Sequence, residues 1–578
     1  MNVLEVALFI FAVVGVIALG IWKSKGDDGD DSNDASDYFL AGRGLTWWLV
    51  GFSLIAANIS TEQFVGMSGA SANWLGMAIA SYEWMAAVTL IFVAFWFLPR
   101  FLKAGLYTIP EFLEYRFDGV ARLAMAIPAI VTLVFVTTSS VIFSGAKFVS
   151  EYYNTVPVLN NLTAMCWLIA TFAAVYVFIG GLKACAWTDL IWGAALIVGG
   201  AIVMYLAFDR LAEAPASELF ETKVANSDAT LEQIEAAGAW ERFMLLNDGV
   251  NGEAEARNGP NGSGGKVHMV RPKEDSDIPW TALLIGLWIP NFFYWGLNQY
   301  IVQRTLGSKS LAEGQKGIVF AAFLKLLIPF LVVIPGILAF NLYSADLLNA
   351  TTGQYDYDRA FPVLVRNLIK PMPLISWFVL AALCGAVISS LASMLNSAST
   401  IATMDLYAKF TGERDQKKLV KVGRFFVVLF VILAGIVAPR LDNFESIFAY
   451  IQEFQGFISS GFVAVFIFGF FSPRTPRYFG AVGIGLNVVA YGAFKWFLGP
   501  IMVENGWWYA DKMAFLDRMA ICFFIVMLAG IILTLVKPMK TPVVLPVNEN
   551  IELETSQGAK VVGVVVVIAT ITLYAIFW

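Results

Sequence analysis

Windows of about 20 apolar residues, the length of one membrane-spanning helix, recur from "LEVALFIFAVVGVIALGIW" near the start of the chain to "VVGVVVVIATITLYAIFW" at its end. The pattern predicts an all-α integral membrane protein with about fourteen transmembrane helices. The predicted spans are S1 (3–22), S2 (45–66), S3 (76–98), S4 (121–148), S5 (160–180), S6 (185–208), S7 (280–304), S8 (315–343), S9 (373–407), S10 (425–440), S11 (445–471), S12 (476–498), S13 (514–536) and S14 (561–578).

Two of these spans contain polar interruptions. S2 ends in "IAANISTEQFVG", and S7 reads "LLIGLWIPNFFYWGLNQY", in which Pro290 and Asn291 are predicted to break the helix. Irregular backbone at membrane depth is tolerated only where protein or a water-filled cavity surrounds it. Interrupted helices at corresponding positions of two halves are typical of secondary transporters that bind a solute between the breaks. The alternative is a pair of kinked, capped helices without a site.

Composition supports a membrane protein, because 58% of the residues are hydrophobic and 14% are charged, whereas soluble domains carry about 25% charged residues. S1 has no basic residue before it and is followed by Lys23 and Lys25, the reverse of a cleavable signal. Both chain ends are therefore expected outside. Most basic residues, Arg304 among them, then fall on one side, which the positive-inside rule assigns to the cytoplasm.

The longest polar segment, 209–279, is predicted to be an extracellular loop. Its centre, "GVNGEAEARNGPNGSGGK", is rich in glycine and acidic residues and is expected to be solvated and partly flexible. His268, the only histidine of the chain, lies in this loop. Without a second histidine it indicates neither a zinc site nor a catalytic triad.

Single charges interrupt two apolar spans, Glu83 in "AIASYEWMAAV" and Lys325 in "VFAAFLKLLIPFLVV". A lone charge near the centre of the bilayer costs ~3 kcal/mol or more, so such groups normally face the interior and are paired. We expect both to face one cavity. The alternative is that they form an ion pair with a purely structural role.

Further polar groups are predicted at similar depth, namely Gln63, Asn291, Tyr294, Gln452 and Glu453. Carboxylates, amides, an ammonium group and an aromatic ring suit a sugar, which has many hydroxyl groups and an apolar ring face. An amino acid would need a charge pair for its two ends. Glu83 and Lys325 are able to supply one, so this composition leaves both solutes open.

S9 carries a series of serines without a charge. Ser389 and Ser390, next to free carbonyls of a broken S2, would form an oxygen site of low charge suited to a monovalent cation, whereas calcium prefers more carboxylates. The alternative is ordinary serine packing between helices. Asp189, at the start of S6, is either an acidic residue in the first helical turn or part of the route by which the cation leaves.

Several stretches together resemble the sodium:solute symporter family, and within it the bacterial sodium/galactose (sodium/glucose-type) branch. They are "SLIAANISTEQFVGMSG", "AIASYEWM", "YTIPEF", "YWGLNQYIVQRTL", "QKGIVFAAFLKL", "SSLASMLNSASTI" and "YIQEF". The resemblance implies a LeuT-like fold with two inverted five-helix repeats and discontinuous helices. The repeats would be S2 to S6 (45–208) and S7 to S11 (280–471), with S1 and S12 to S14 (472–578) at the periphery. It also implies symport of sodium and a hexose by alternating access.

The resemblance also implies roles for individual residues. The set expected to bind the sugar by hydrogen bonds is Gln63, Glu83, Asn291, Lys325 and Gln452, with Tyr294 as an inner stacking gate. The expected outer lid is Met67, Tyr82 and Phe448. The expected sodium ligands are the carbonyls of Ala56, Ile59 and Ala386 and the hydroxyls of Ser389 and Ser390, with Asp189 beside the exit.

The chain departs from the family pattern at two positions in this set. Ala86 stands where the galactose branch has a hydroxyl residue, and Phe293 replaces the first of two tyrosines before "WG". The sequence therefore does not define the preferred hexose. Segment 209–279 is also longer than the corresponding loop of the family pattern.

The expected partners are sodium, a small sugar and the lipid bilayer of a bacterial inner membrane, with no nucleic acid and no cofactor beyond the sodium ion. The open alternatives are symport of myo-inositol, sialic acid or an amino acid, and a sugar receptor that does not transport. No nucleophile and base pair or metal cluster typical of an enzyme stands out in the sequence.

Overall fold

The computed structural model describes residues 3–24, 35–157, 159–224, 227–249, 265–275, 277–349, 353–444, 446–548 and 551–578. Within these ranges the regular structure is helical, and pairing between extended segments is limited to isolated bridges such as Leu45 with Ser308. The all-α class predicted from the apolar windows is confirmed. The centre of the 209–279 loop, residues 250–264, lies outside the described residues.

The main helices of the bundle, including the short ones beside the helix breaks, are numbered here in chain order. They are α1 (Val3–Ser24), α2 (Trp47–Asn58), α3 (61–72), α4 (Gly76–Ala104), α5 (Gly119–Tyr152), α6 (Leu162–Glu213), α7 (Trp288–Gly296), α8 (Gln299–Leu306), α9 (Leu311–Leu347), α10 (Pro373–Thr411), α11 (Gln416–Asn443), α12 (Ile447–Phe471), α13 (Phe479–Glu504), α14 (Phe515–Val536) and α15 (Gln557–Ile576). Shorter helices are Ala35–Leu40, Ile109–Arg116, Ala216–Phe220, Leu231–Ala236, Ala239–Asn247, Trp280–Leu284 and Ala360–Ile369.

In the described part of the chain, 10 helices are long and apolar enough to cross a membrane, and three shorter helical segments are also apolar. The protein is therefore a multi-pass membrane protein, while the total of fourteen spans stays a prediction. Most helices are longer than their apolar windows because polar caps define their ends. Ser310 accepts a hydrogen bond from the Glu313 amide at the start of α9, and Asp118 accepts one from Ala121 at the start of α5.

The spans predicted as S5 and S6 form one continuous helical run of 52 residues, α6. A straight helix of that length would measure about 78 Å, more than twice the ~30 Å apolar core of a bilayer. The hydroxyls of Tyr176 and Thr188 lie 2.6 Å apart, although 12 residues of straight helix span about 18 Å. The chain therefore reverses direction between these residues, and the two arms of α6 correspond to the two predicted spans.

The helix break predicted in S2 is confirmed. α2 ends at Asn58, Ile59 is extended with φ −90° and ψ 104°, and helical structure resumes at residue 61 as α3. The break predicted in S7 is present but misplaced. Pro290 and Asn291 lie within α7, because a proline in the first turn of a helix loses no intrahelical hydrogen bond. The chain instead leaves the helix at 285–287 and at 297–298.

The centre of the bundle is formed by α9, α10 and α12. In α10, 83% of the most apolar window is buried, against 22% in α14 and in α15. α10 packs mainly on α6, and α9 packs mainly on α2 and α4. The broken helices α2, α3, α7 and α8 therefore lie against a buried core rather than against lipid. The assignment of the spans to two inverted repeats stays a prediction.

One end of the bundle, called here the loop face, carries the described parts of segment 209–279. These parts are more ordered than the sequence suggested, since they include three short helices and several buried side chains. Lys266 is buried, donates a hydrogen bond to the Ala72 carbonyl at 2.8 Å, and accepts one on its own carbonyl from Met77 at 2.6 Å. This segment therefore closes over the end of α3 at the loop face.

Gly76→Ala is expected to lower the melting temperature of the purified protein. Gly76 has φ +52°, and a Cβ atom there would lie 2.2 Å from the Lys266 carbonyl oxygen. Left-handed backbone costs an L-residue about 1–2 kcal/mol, and the clash adds to this cost. Gly353→Ala is the matched control, because Gly353 has φ +69° and an added Cβ meets nothing within 4 Å. Equal decreases in melting temperature in both variants would show that the segment around Lys266 moves aside without an energetic cost.

Candidate functional site

A polar cavity lies where the broken helices meet. It is lined by residues of α2, α3, α4, α5, α7, α8 and α12. The lining residues are Asn58, Glu62, Gln63, Met67, Tyr82, Glu83, Thr137, Pro290, Asn291, Tyr294, Trp295, Tyr300, Phe448, Ile451, Gln452 and Gln455. Eight of the nine residues predicted for sugar binding and gating are in this set. The ninth, Lys325, donates hydrogen bonds to two members of the set, Asn58 and Glu83.

Lys325 is fully buried on α9 and joins the cavity through its ammonium group. It forms an ion pair with Glu83 of α4 and donates a hydrogen bond to the side-chain oxygen of Asn58 at the end of α2. Its Nζ also lies 4.8 Å from the centre of the Trp295 ring. The two charges are paired, as their cost in a membrane predicted, and Glu83 lines the cavity. That both residues bind a solute stays a prediction. The pairing satisfies the two charges that hydropathy alone marked as costly in a membrane.

The two broken helices are joined directly by hydrogen bonds. Asn58 donates to the Tyr294 hydroxyl of α7 at 2.7 Å, and the Tyr300 hydroxyl of α8 donates to the same oxygen. Asn58 thus links α9, α2 and α7, because its oxygen accepts from Lys325 while its nitrogen donates to Tyr294. A change in any of the three helices must therefore move the polar groups of the cavity together.

Other predicted binding groups have polar atoms in reach of the cavity. The Gln63 side-chain oxygen accepts a hydrogen bond from the Ser60 amide at 2.9 Å. The Gln63 side-chain nitrogen lies 3.4 Å from Glu62 Oε1. Asn291 donates to the Leu287 carbonyl at 2.9 Å, where the chain enters α7. Gln452 Oε1 is buried and has no hydrogen-bond partner among the described residues. The cavity therefore contains polar groups that this structure leaves unsatisfied.

Aromatic residues close the cavity on two sides. Tyr82 and Phe448 pack edge to face with ring centres 5.0 Å apart. Met67 lies between Gln63 and the end of α3 that contacts the loop face. Tyr294 and Tyr300 pack at 90° with ring centres 5.7 Å apart, on the side where α8 begins. The predicted outer-lid residues and the predicted inner gate thus all line the cavity, and their roles as gates stay predictions.

Glu453, which the sequence placed with Gln452, does not reach the cavity. Its carboxylate accepts from Arg518 at 2.8 Å and from the Tyr491 hydroxyl at 3.0 Å, and it lies 3.2 Å from Lys495. Consecutive residues on a helix point in directions about 100° apart. Gln452 therefore faces the cavity while Glu453 faces α13 and α14.

Two of the predicted cation ligands, Ser390 and Ala56, meet beside the end of α2. The Ser390 hydroxyl lies 3.3 Å from the Ala56 carbonyl oxygen and 3.2 Å from that of Ala57. These carbonyls belong to the last turn of α2, where the helix break removes their usual amide partners. Ile59 is the extended residue of the break, and Ala386 lies one turn before Ser390 on α10. That these residues together bind a cation stays a prediction.

Ser389 and Asp189 contribute to a neighbouring buried network. The Asp189 carboxylate accepts from the hydroxyls of Ser389 and Ser53 and pairs with Arg304 at 3.2 Å. Arg304 also donates to Ser53 at 2.6 Å and to Ser393. Asp189 is fully buried and is not an exposed residue of a first helical turn. Arg304 is likewise fully buried, although the sequence pattern placed it among the basic residues of the cytoplasmic side.

Eight cavity residues are outside the nine that the sequence predicted for sugar binding and gating: Asn58, Glu62, Thr137, Pro290, Trp295, Tyr300, Ile451 and Gln455. Asn58, Glu62 and Gln455 belong to polar clusters that the sequence does reveal, "NISTEQ" and "YIQEFQ". Hydropathy marks such clusters but does not say which members face inward. No pattern in the sequence singles out Thr137 or Tyr300 as a site residue.

Comparison with known proteins agrees with this geometry. The sequence profile described as "SSF: Sodium:solute symporter family" matches residues 38–484. The chain is 37% identical to a sodium/glucose cotransporter of Vibrio parahaemolyticus, over 100% of this chain and 99% of that protein. It is 32% identical to the uncharacterized symporter YidK of Escherichia coli (strain K12), over 100% of this chain and 91% of that protein.

A solved structure shares the fold. It is the substrate-bound, outward-open state of a Na⁺-coupled sialic acid symporter, which superposes with a TM-score of 0.71 over 94% of this chain and 99% of that one. The two sequences are 21% identical. At this identity the likeness shows a common architecture and leaves the solute to be argued from the cavity.

Proposed function

The chain belongs to the sodium:solute symporter family and is a sodium-coupled solute symporter, and we propose that its solute is a hexose of the galactose or glucose type. The observation that carries this proposal is the set of polar side chains around one cavity between two broken helices. The protein is a transporter and not an enzyme. Sodium is its coupling ion rather than a bound cofactor.

The polar groups of the cavity match the hydroxyl groups of a sugar. Glu83 and the oxygen of Gln452 accept hydrogen bonds, Lys325 donates them, and the amides of Gln63 and Asn291 offer both kinds of group. Gln452 Oε1 lacks a hydrogen-bond partner in the described part of the chain, so a hydroxyl donor from the solute would satisfy it. The Tyr294 ring offers an apolar face for the sugar ring. These five polar residues and Tyr294 form the proposed hexose site.

The charges of the cavity favour a neutral solute. Glu62 and Glu83 line it, while the single ammonium group, Lys325, is already paired with Glu83. A solute with a carboxylate, such as sialic acid, would lie beside the Glu62 and Glu83 carboxyl groups and would find no unpaired cation among the described lining residues. An amino acid would have to separate the Glu83 and Lys325 pair to neutralise its own two ends. A neutral solute with several hydroxyl groups brings no charge into the cavity and does not separate the Glu83 and Lys325 pair, so it incurs neither energetic cost.

We place sodium beside the end of α2, with the Ala56, Ile59 and Ala386 carbonyls and the Ser389 and Ser390 hydroxyls as ligands and Asp189 next to the exit. The contact of Ser390 with the Ala56 carbonyl supports this assignment. The site is two residues from Asn58, which holds Lys325 and Tyr294. An ion that orders the end of α2 would therefore also order the hexose site, and this differential binding is what coupling requires.

The coupling energy is sufficient for accumulation. One sodium ion that crosses ~100 mV releases ~2.3 kcal/mol, and a tenfold sodium gradient adds ~1.4 kcal/mol. The sum of ~3.7 kcal/mol sustains a solute gradient of roughly 500-fold at one ion per solute. In the proposed cycle the S2 to S6 and S7 to S11 repeats rock against each other in a bacterial inner membrane. Met67, Tyr82 and Phe448 close the outer side, and Tyr294 closes the inner side.

Uptake by proteoliposomes tests this function. With an inward sodium gradient, we expect labelled galactose or glucose to accumulate above its outside concentration, and a potassium or proton gradient to give no accumulation. Sialic acid, myo-inositol and amino acids in the same panel separate the hexose from other solutes. Preloaded unlabelled hexose should stimulate entry of labelled hexose, whereas a receptor would show binding without this counterflow. Accumulation of sialic acid or an amino acid, but no hexose, would refute the proposal.

A further inference from the structure

Glu62 is a carboxylate of the polar cavity that the hexose site described above does not use. It lies in the first turn after the helix break and is 8% exposed. Its Oε1 atom lies 3.4 Å from the Gln63 side-chain nitrogen. Its Oε2 atom is buried and has no hydrogen-bond partner among the residues that the structure describes. This oxygen is therefore a hydrogen-bond acceptor without a donor, on a residue that lines the cavity.

The charged neighbours of Glu62 do not neutralise it. Lys325, the ammonium group nearest to the cavity, is within 4 Å of Glu83 but not of Glu62, and no other described cation pairs with Glu62. Glu83, Tyr294, Tyr300 and Tyr82 are the other titratable groups around the cavity. An unpaired carboxylate in a low-dielectric site is stabilised by taking up a proton or by accepting hydrogen bonds that donors bring to it.

A proton and the hydroxyl groups of a bound hexose thus compete for the carboxylate oxygens of Glu62. In the empty cavity the proton on Glu62 removes the unpaired charge. When a solute with several hydroxyl groups enters, those hydroxyls donate hydrogen bonds to the carboxylate, which favours its ionised form. The proton is then released to water. No covalent bond of the solute is formed or broken.

We propose that Glu62 is a further solute-binding residue, protonated while the cavity is empty and ionised when the hydroxyls of a hexose donate to it. The inference rests on the proposed hexose function. It predicts that hexose binding releases a proton at acidic pH and that affinity falls as the pH falls. Because proton and solute compete, linkage limits the effect to about tenfold per pH unit.

The neighbouring groups do not produce this pH dependence. The tyrosines stay neutral between about pH 5.5 and pH 8.5, since an unperturbed tyrosine titrates near 10. Glu83 and Lys325 form an ion pair by direct contact, and this pair persists in a variant at residue 62. A change of pH profile on replacing Glu62 alone therefore reports on Glu62.

The test measures galactose or glucose binding to the purified full-length protein in saturating sodium between about pH 5.5 and pH 8.5. Calorimetry in two buffers of different ionisation enthalpy gives the number of protons released. Wild type should release close to one proton per hexose at the acidic end. Glu62→Gln should release none and lose the pH slope, while Glu62→Asp should keep both. Glu453→Gln is the matched control, because this carboxylate follows the cavity residue Gln452 on α12 but contacts Arg518 outside the cavity.

Two results would overturn the inference. One is a Glu62→Gln variant that folds, as judged by its melting temperature, and keeps the proton release and pH slope of wild type. The other is an unchanged pH slope with a less steep sodium dependence, which would make Glu62 a ligand of a second cation. If the wild type binds no hexose, the proposed function fails instead. The Glu62 assignment is then decided by the same pH series with whichever solute the uptake panel identifies.

Discussion

Lys325→Met is expected to reduce sodium-driven hexose uptake by at least about a hundredfold. Removing one partner of a buried ion pair leaves an uncompensated charge and costs about 3–5 kcal/mol, and each 1.4 kcal/mol corresponds to about a factor of ten. Lys325→Met removes the ion-pair partner of Glu83 and the hydrogen-bond donor to the Asn58 side-chain oxygen. It also removes a proposed ligand of the solute. The measurement is initial uptake of labelled hexose into proteoliposomes at equal protein density.

A double variant separates a structural ion pair from a binding residue. Glu83→Gln together with Lys325→Met removes both charges of the ion pair. The melting temperature of this double variant should therefore return toward that of wild type. If the pair only stabilises the fold, uptake should return with it. If Glu83 and Lys325 also bind the solute, as we propose, uptake should stay low in the stable double variant. A recovered uptake would remove both residues from the hexose site.

The pairing of Glu83 with Lys325 was predictable from the sequence because of a strong physical constraint. A charge inside an apolar span has to face the interior and find a partner, and only a few such charges occur in this chain. The break at the end of S2 was predictable for a related reason, since five polar residues among the six from Asn58 to Gln63 do not fit a lipid-facing helix. Both predictions depend on the cost of polarity in a membrane.

Other features depend on helix orientation and tertiary contact, which the sequence pattern does not contain. Glu453 was predicted with Gln452 because both are polar, but one step along the helix turns it toward Arg518. Pro290 was predicted to break S7, yet a proline is tolerated in the first turn of α7. Arg304 appeared to be a basic residue near a membrane surface. Its burial follows from the packing of α8 against α2 and α10 and from its ion pair with Asp189 of α6.

Ser390→Ala is expected to weaken sodium activation of uptake by about ten- to a hundredfold. A hydrogen bond or ligand contact to a charged group contributes about 1.5–3 kcal/mol, and Ser390 is the hydroxyl that contacts the free carbonyls at the end of α2. The half-activating sodium concentration should therefore rise. Exchange of hexose across the membrane without sodium should persist, because the Ser390 hydroxyl is outside the polar cavity.

The matched control for this prediction is Ser399→Ala on the same helix. Ser399 is also buried, and its hydroxyl donates to the carbonyl of Asn396 within α10 at 2.8 Å, away from the end of α2. Its loss should leave the sodium dependence of uptake unchanged. An unchanged half-activating concentration in Ser390→Ala would remove the cation from the end of α2. A rise in both variants would indicate a general loss of α10 packing rather than a lost ligand, so only a rise confined to Ser390→Ala supports the sodium site.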